Sequence, residues 1–433
     1  MKKYVAIFIL LGLIISCKKG EKDPAPVETY TDKVVLNKLD IQGNTVKLSW
    51  SKLDTDKAYK YEVLRRDFDG ADFYPIGEQI LLPKETTETV DMTVPYSPNV
   101  SYQVRVRLSS STISSNIVNY QRPDITLLDL IPFDAFYHPT DKSLYIFERG
   151  GRISIYDLNA QQLTKQIDTR SVIGFPIFET YQGREELYVP RNDGWVFVYD
   201  AKTLEKVDQI STGIPSTSVV LNNDTLFVST DDSGRKHLKL YNRITKQFIS
   251  EAAGDGFARL KKIPDSNTKL LAITLNVSPV QLHYYQFDNQ ELIEGNAYDL
   301  YHENYDIDAS IFEFFPDGKK YISSSNGAIY NIDLSRDKYL PRGDLQFRGF
   351  AFNQQGDLIY GASTTKSIEV YSAQGLEHIK SIPTKAYPFK IFVTDDAVIS
   401  LGLASVYNGY INTFDSYGQY GDVNKVLIEI LDK

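Results

Sequence analysis

Hydrophobic and polar positions alternate along most of the chain, and the alternation has period two. Thr45-Val46-Lys47-Leu48-Ser49-Trp50 places Val46, Leu48 and Trp50 on one face. Tyr59 to Leu64 does the same with Tyr59, Tyr61 and Val63, and Tyr102 to Leu108 with Tyr102, Val104 and Val106. Such segments predict half-buried β-strands, because successive side chains on a strand point to opposite faces. Strand-like runs continue to the C-terminus, and the composition agrees: 30 Tyr and 22 Phe favour pleated, partly buried surfaces. The expectation is an all-β protein.

Beyond about residue 123 the pattern repeats. A short motif of an apolar residue, an aromatic or aliphatic residue and often Asp recurs seven times: Ile155-Tyr156-Asp157, Val198-Tyr199-Asp200, Leu240-Tyr241-Asn242, Gln286-Phe287-Asp288, Asn331-Ile332-Asp333, Val370-Tyr371-Ser372 and Thr413-Phe414-Asp415. The central residues lie 39 to 46 positions apart. A preceding strand recurs with it, from Leu144-Tyr145-Ile146 to Val398-Ile399-Ser400, and turns such as Pro316-Asp317-Gly318-Lys319 and Gln355-Gly356-Asp357 punctuate the units. Four short strands per repeat of about 43 residues predict propeller blades, and seven blades in a ring bury faces that one blade cannot bury alone. The expected architecture is an N-terminal β-sandwich over 29–122 followed by a seven-bladed β-propeller over 123–433. Ile125 to Leu130 and Val426 to Ile430 are the strands available to close the ring.

Two resemblances refine this. Trp50, Tyr61, Tyr102-x-Val104-x-Val106 and Ser115-Asn116-Ile117-Val118 resemble the strands of a fibronectin type III module, which implies a spacer. Phe315 to Ile322 and Gly151 to Asp157 look like YVTN and TolB-type propeller repeats, which implies a fold and not an activity.

The N-terminus carries an address. Lys2 and Lys3 precede a twelve-residue apolar run, Tyr4 to Ile15, too short for a bilayer span of about 20 residues but suited to a secretory signal. The run ends Ile14-Ile15-Ser16-Cys17, which resembles a lipobox, and Cys17 is the only cysteine. The expectation is a signal peptide over 1–16 and a lipidated Cys17 leading a tether over 17–28. Its Lys-rich sequence looks like the tethers of Bacteroidota outer-membrane lipoproteins, which implies membrane attachment through the lipid. With no second cysteine, stability must come from the core.

The net charge is −9, from 47 basic and 56 acidic residues, and no basic run could follow a phosphate backbone, so nucleic acid is not an expected partner. His138, His237, His283, His302 and His378 show no metal-ligand spacing, although a ring could converge them. No G-x-S-x-G elbow is present, the metal set of lactonase propellers cannot be mapped, and the array has one tryptophan, Trp195, where quinoprotein dehydrogenases repeat theirs. No catalytic residue and no cofactor is therefore expected. The longest irregular stretch is Asp288 to Ser310. Within it Asp299, Glu303, Tyr305, Asp306 and Asp308 form a candidate ligand loop, for a hard cation or a stacked sugar, against a plain reading as a solvated acidic insertion. Arg342-Gly343-Asp344 matches the integrin tripeptide, a match that chance often supplies in a chain this long. The expected function is binding of a protein or a glycan. The alternative is a hydrolase or lyase acting on a carbohydrate, lactone or peptide at the channel mouth.

Overall fold

The computed structural model describes residues 33–405 and 425–433, apart from 44, 78, 123–124, 232–233, 235, 255, 276, 278–279, 289–290 and 299–306. Every regular element among them is a strand.

Residues 33–122 form two antiparallel sheets. One holds Asp40–Gln42, Thr45–Ser49 and Glu88–Asp91; the other is centred on Lys60–Arg66 paired with Asn99–Arg107. The alternating positions supply the core between them: Val46, Leu48, Trp50, Tyr61, Val63, Tyr102, Val104 and Val106 are all buried. Trp50 meets the Tyr61 ring edge-on at 5.4 Å.

From Leu128 onward the chain makes seven four-stranded antiparallel sheets. Blade 1 is Pro132–His138, Ser143–Glu148, Arg152–Asp157 and Gln162–Asp168, and blades 2 to 6 repeat this up-and-down order. Blade 7 takes three strands from the C-terminal part, Tyr387–Val393, Ala397–Leu403 and Lys425–Asp432. Its fourth strand is Leu128–Asp129, with Leu128 opposite Val426, and the Lys425 ammonium pairs with the Asp129 carboxylate. The two segments expected to close the ring do so. Seven apolar clusters each join two neighbouring blades. The cluster that completes the circle packs Ala135, Leu144 and Ile146 of blade 1 against Phe389, Leu401 and Val426 of blade 7. No blade owns its core, so stability belongs to the closed ring.

The repeated motif has a local physical cause. In blades 1 to 6 the register between the third and fourth strands slips by one residue at the motif aromatic, at Tyr156, Tyr199, Tyr241, Phe287, Tyr330 and Tyr371. This is a β-bulge, which bends the strand into the next turn. In blades 1 to 3 the following Asp or Asn caps the next turn. Asp157 Oδ1 accepts from the amides of Asn159 and Ala160, Asp200 Oδ1 from Thr203, and Asn242 Oδ1 from Ile244 and Thr245. Gly151, Gly194 and Gly327 open the third strand at φ of 106°, 85° and 67°. A side chain at Gly151 would also meet the Ser171 carbonyl at 2.4 Å.

Two sequence assignments need correction. In blade 5 the bulge falls at Tyr330, so the motif is Ile329-Tyr330-Asn331, two residues earlier than Asn331-Ile332-Asp333. In blade 7 the third strand is Lys425–Asp432; the expected motif at 413–415 lies outside the described residues.

The sheets of 33–122 rest on blades 6 and 7. The Tyr96 amide donates to the Ala404 carbonyl (2.8 Å) and the Tyr387 hydroxyl to the Thr93 carbonyl (3.0 Å). Ser405 donates to Asp67, and Lys366 to the Val94 carbonyl. Tyr387 begins an inner strand, and Ala404 follows the end of a second strand. The docking end is thus the end of the ring where inner strands begin.

Candidate functional site

The inner strands of all seven blades surround a central cavity of about 580 Å³. Its lining reaches Pro264 and Pro316, just past the ends of the inner strands Ala258–Lys262 and Phe312–Phe314. The cavity therefore opens at the end opposite the docked sheets. Its apolar walls include Phe136, Phe178, Phe314, Phe350, Phe352 and Phe392.

Charged groups interrupt these walls. Asp134, from blade 1, accepts from Arg259 Nη2 of blade 4 (3.1 Å) and Lys390 Nζ of blade 7 (2.8 Å). Its side chain is 3% exposed, against 5% for Arg259 and 19% for Lys390. Burial alone would raise the Asp134 pKa, but Lys390 and Arg259 outweigh it and hold the carboxyl below its usual range. Arg259 Nη1 also donates to the carbonyls of Ala309 (2.9 Å) and Ser310 (3.1 Å), and its guanidinium lies 4.3 Å from the Phe175 ring centre. The result is a charged strut that links blades 1, 4, 5 and 7 across the channel.

A second pair lies on the mouth side. Lys261 Nζ donates to Glu313 Oε2 (2.7 Å) and to the Phe312 carbonyl (2.6 Å). Burial pushes the Lys261 ammonium down to about 8; Glu313 opposes this, while Arg259 and Lys390 add to it. Glu179 completes the charged lining with Lys262. Burial raises the Glu179 carboxyl, and Lys262 partly offsets the rise. Four cations thus face three carboxylates.

Of the expected ligand loop, Asp299, Glu303, Tyr305 and Asp306 lie outside the described residues. Asp308 is described. Its carboxylate accepts from the Ser310 amide (2.8 Å), its pKa is raised by burial, and Arg259 is close enough to oppose that rise. Asp308 thus belongs to the strut end of the channel rather than to the mouth. The stretch from Asp288 is also less irregular than expected, since Glu291–Tyr298 is the outer strand of blade 4.

Other candidates take structural roles. His138 sits 3.2 Å from Glu185 at a blade 1–blade 2 contact outside the cavity lining. His378, Ser381 and Glu369 cluster on blade 6. Both His378 Nε2 (2.7 Å) and Ser381 Oγ (2.5 Å) address the same Glu369 oxygen, with Ser381 Oγ 3.5 Å from His378 Nε2, so the serine hydroxyl donates to the carboxylate in preference to the imidazole. Among the described residues no group of His, Cys, Asp or Glu is placed to hold a metal. The Arg342 guanidinium is bonded to Asn326 and to its own turn, so the Arg-Gly-Asp arginine is not presented to a partner.

Sequence reasoning passed over Asp134, Arg259, Lys261 and Lys390. Their signal was a charge inside a strand otherwise made for burial, as in Pro132-Phe133-Asp134-Ala135-Phe136.

No protein-family profile and no curated protein matches the chain. By structure, 1337 solved chains match it, a breadth that identifies an architecture and no ligand. One is the β-propeller domain of Cps50 (Swd1) from Myceliophteria thermophila, at 10% identity and a TM-score of 0.51, covering 70% of this chain and 98% of that one. At that identity the likeness carries the fold alone: the chain contains a β-propeller.

Proposed function

We propose that the protein is a lipid-anchored binding protein of the bacterial cell envelope. Cys17 holds it to the outer membrane after removal of residues 1–16, and 17–28 is the tether. Residues 29–122 form a fibronectin type III-like spacer, and the propeller over 123–433 presents its open channel end to a protein or a glycan. The observation that carries binding over catalysis is the ionic state of the channel. Asp134 is held ionised by two cations, so it is not a poised proton donor, and Glu313 is engaged by Lys261. The mouth faces away from the sheets that carry the tether, which suits presentation outward.

The test is a glycan array, run with co-purification from solubilised outer membrane, using the full-length protein and a Cys17→Ser variant. Saturable capture of a glycan class or of one envelope protein supports the reading. Silence in both assays, or a Cys17→Ser variant that still partitions with the membrane, contradicts it.

One observation favours a second reading. Glu179 lines the channel with its carboxyl raised by burial, as a general acid requires. Turnover of a nitrophenyl glycoside or a lactone that disappears in Glu179→Gln would make the propeller an enzyme.

A further inference from the structure

Resting on the binding reading, the geometry points to the ligand class: we infer that the channel takes a small ligand bearing one oxyanion, a carboxylate or a phosphate, seated between Lys261 and Lys390 on the mouth side of the strut, with its body against the phenylalanine walls.

The charge balance motivates this. The chain as a whole is acidic, at −9. Among the described residues, Arg259, Lys261 and Lys390 share one cavity with Asp134 and Glu313 as their ion-pair partners. Counted over the described cavity-lining residues in these ion pairs, three cations meet two carboxylates; Asp308, near enough to Arg259 to feel its charge, does not line the cavity. The three cations are within mutual electrostatic range, because Arg259 and Lys390 both disfavour the charged form of Lys261. Among side chains as buried as Asp134 and Arg259 such crowding is costly, and an added oxyanion relieves it.

Donor capacity agrees with the charge. An ammonium offers three hydrogens. Among the described residues Lys390 spends one on Asp134, and Lys261 spends two, on Glu313 and Phe312. Both lysine side chains line the cavity and are about one-fifth exposed, so an entering ligand meets them directly. A cavity of about 580 Å³ is of ordinary size for a small-molecule site, and apolar walls with a few convergent polar groups are its usual make-up. The walls favour an anion carried on a body with an apolar face over a bare hydrated ion.

The experiment is calorimetric titration of the full-length protein at pH 8 with D-glucuronate, inorganic phosphate and D-glucose, each in two buffers of different ionisation enthalpy. Glucuronate or phosphate should bind. Glucuronate alone assigns the site to a carboxylate on a sugar-like body, phosphate alone to a phosphate group, and either supports the inference. Because a bound anion favours the charged form of Lys261, binding should take up protons. Lys261→Gln should remove that uptake. Lys390→Gln should weaken binding by about tenfold or more, the size of a lost charge-assisted hydrogen bond. Melting curves confirm that both variants fold. No heat with glucuronate or phosphate up to about 10 mM overturns the inference. So does binding that both lysine variants leave unchanged. Glucose binding as tightly as glucuronate overturns it too, while leaving the binding reading intact. That reading is decided separately by the array and co-purification.

Discussion

Replacing Asp134 by Asn keeps the shape of the strut and removes its negative charge. Arg259 and Lys390, 5% and 19% exposed, then face each other and Lys261 with no carboxylate between them. Removing one partner of a buried ion pair generally costs 3–5 kcal/mol. The Lys390 side chain is 19% exposed, so the lower end applies and the expected loss is about 3 kcal/mol. At about 2 °C per kcal/mol for a chain of this size, the melting temperature should fall by about 6 °C near neutral pH. The pH dependence has a definite sign. The Asp134 carboxyl is depressed in the folded state, so its contribution is complete above the unfolded value of about 4 and fades as pH falls through the lower folded value. The wild-type melting temperature should therefore converge on that of Asp134→Asn below about pH 4 and stay apart from it between about pH 5 and 7. Scanning fluorimetry across that range reads both. A variant within about 1 °C of wild type at pH 7 would refute the argument, since changes that small belong to surface positions.

Two further outcomes follow from particular contacts. Arg65, 3% exposed, donates to Asp67 (2.7 Å), Asp91 (2.8 Å), Thr93 and the Tyr74 hydroxyl. Arg65→Met should cost about 3–5 kcal/mol and expose residues 33–122 to limited proteolysis before the propeller is cut, whereas uniform cleavage would count against a local role. A Cβ on Gly174 would lie 2.0 Å from the Thr217 carbonyl oxygen of the next blade, where the Phe175 amide already donates to that oxygen at 2.7 Å. Gly174→Ala should lower the urea midpoint by the equivalent of about 1–3 kcal/mol, while Gly150→Ala, with nothing within 4 Å, should leave it nearly unchanged.

The architecture was readable because a ring repeats its own physics. An aromatic at each bulge and a carboxamide or carboxylate on the following turn leave a periodic trace, from Tyr156-Asp157 to Tyr241-Asn242. The same looseness misled in blade 5, where Asn331-Ile332-Asp333 fits the pattern as well as Ile329-Tyr330-Asn331 and only strand pairing separates them. The channel was not readable. Asp134, Arg259 and Lys390 are more than a hundred residues apart in sequence, and only closure of the ring brings them into contact. A charge in a strand reads as a solvent-facing position until the neighbouring blades are known. The acidic insertion drew notice through its composition, yet the part of it nearest the channel, Asp308 to Ser310, contributes mainly backbone carbonyls to Arg259, which composition does not reveal.

The central claim is a seven-bladed ring closed by pairing the start of the propeller segment with its end. In a Cys17→Ser background, cysteine pairs at Leu128/Val426 and Asp129/Lys425 test it, since in an antiparallel ladder one of two adjacent pairs is the closely spaced, non-hydrogen-bonded kind that accepts a disulfide. One of the two variants should form an intramolecular disulfide on mild oxidation and melt several degrees higher than its reduced form. Exclusively intermolecular dimers, or free thiols in both variants after oxidation, would contradict the closure and the channel built on it.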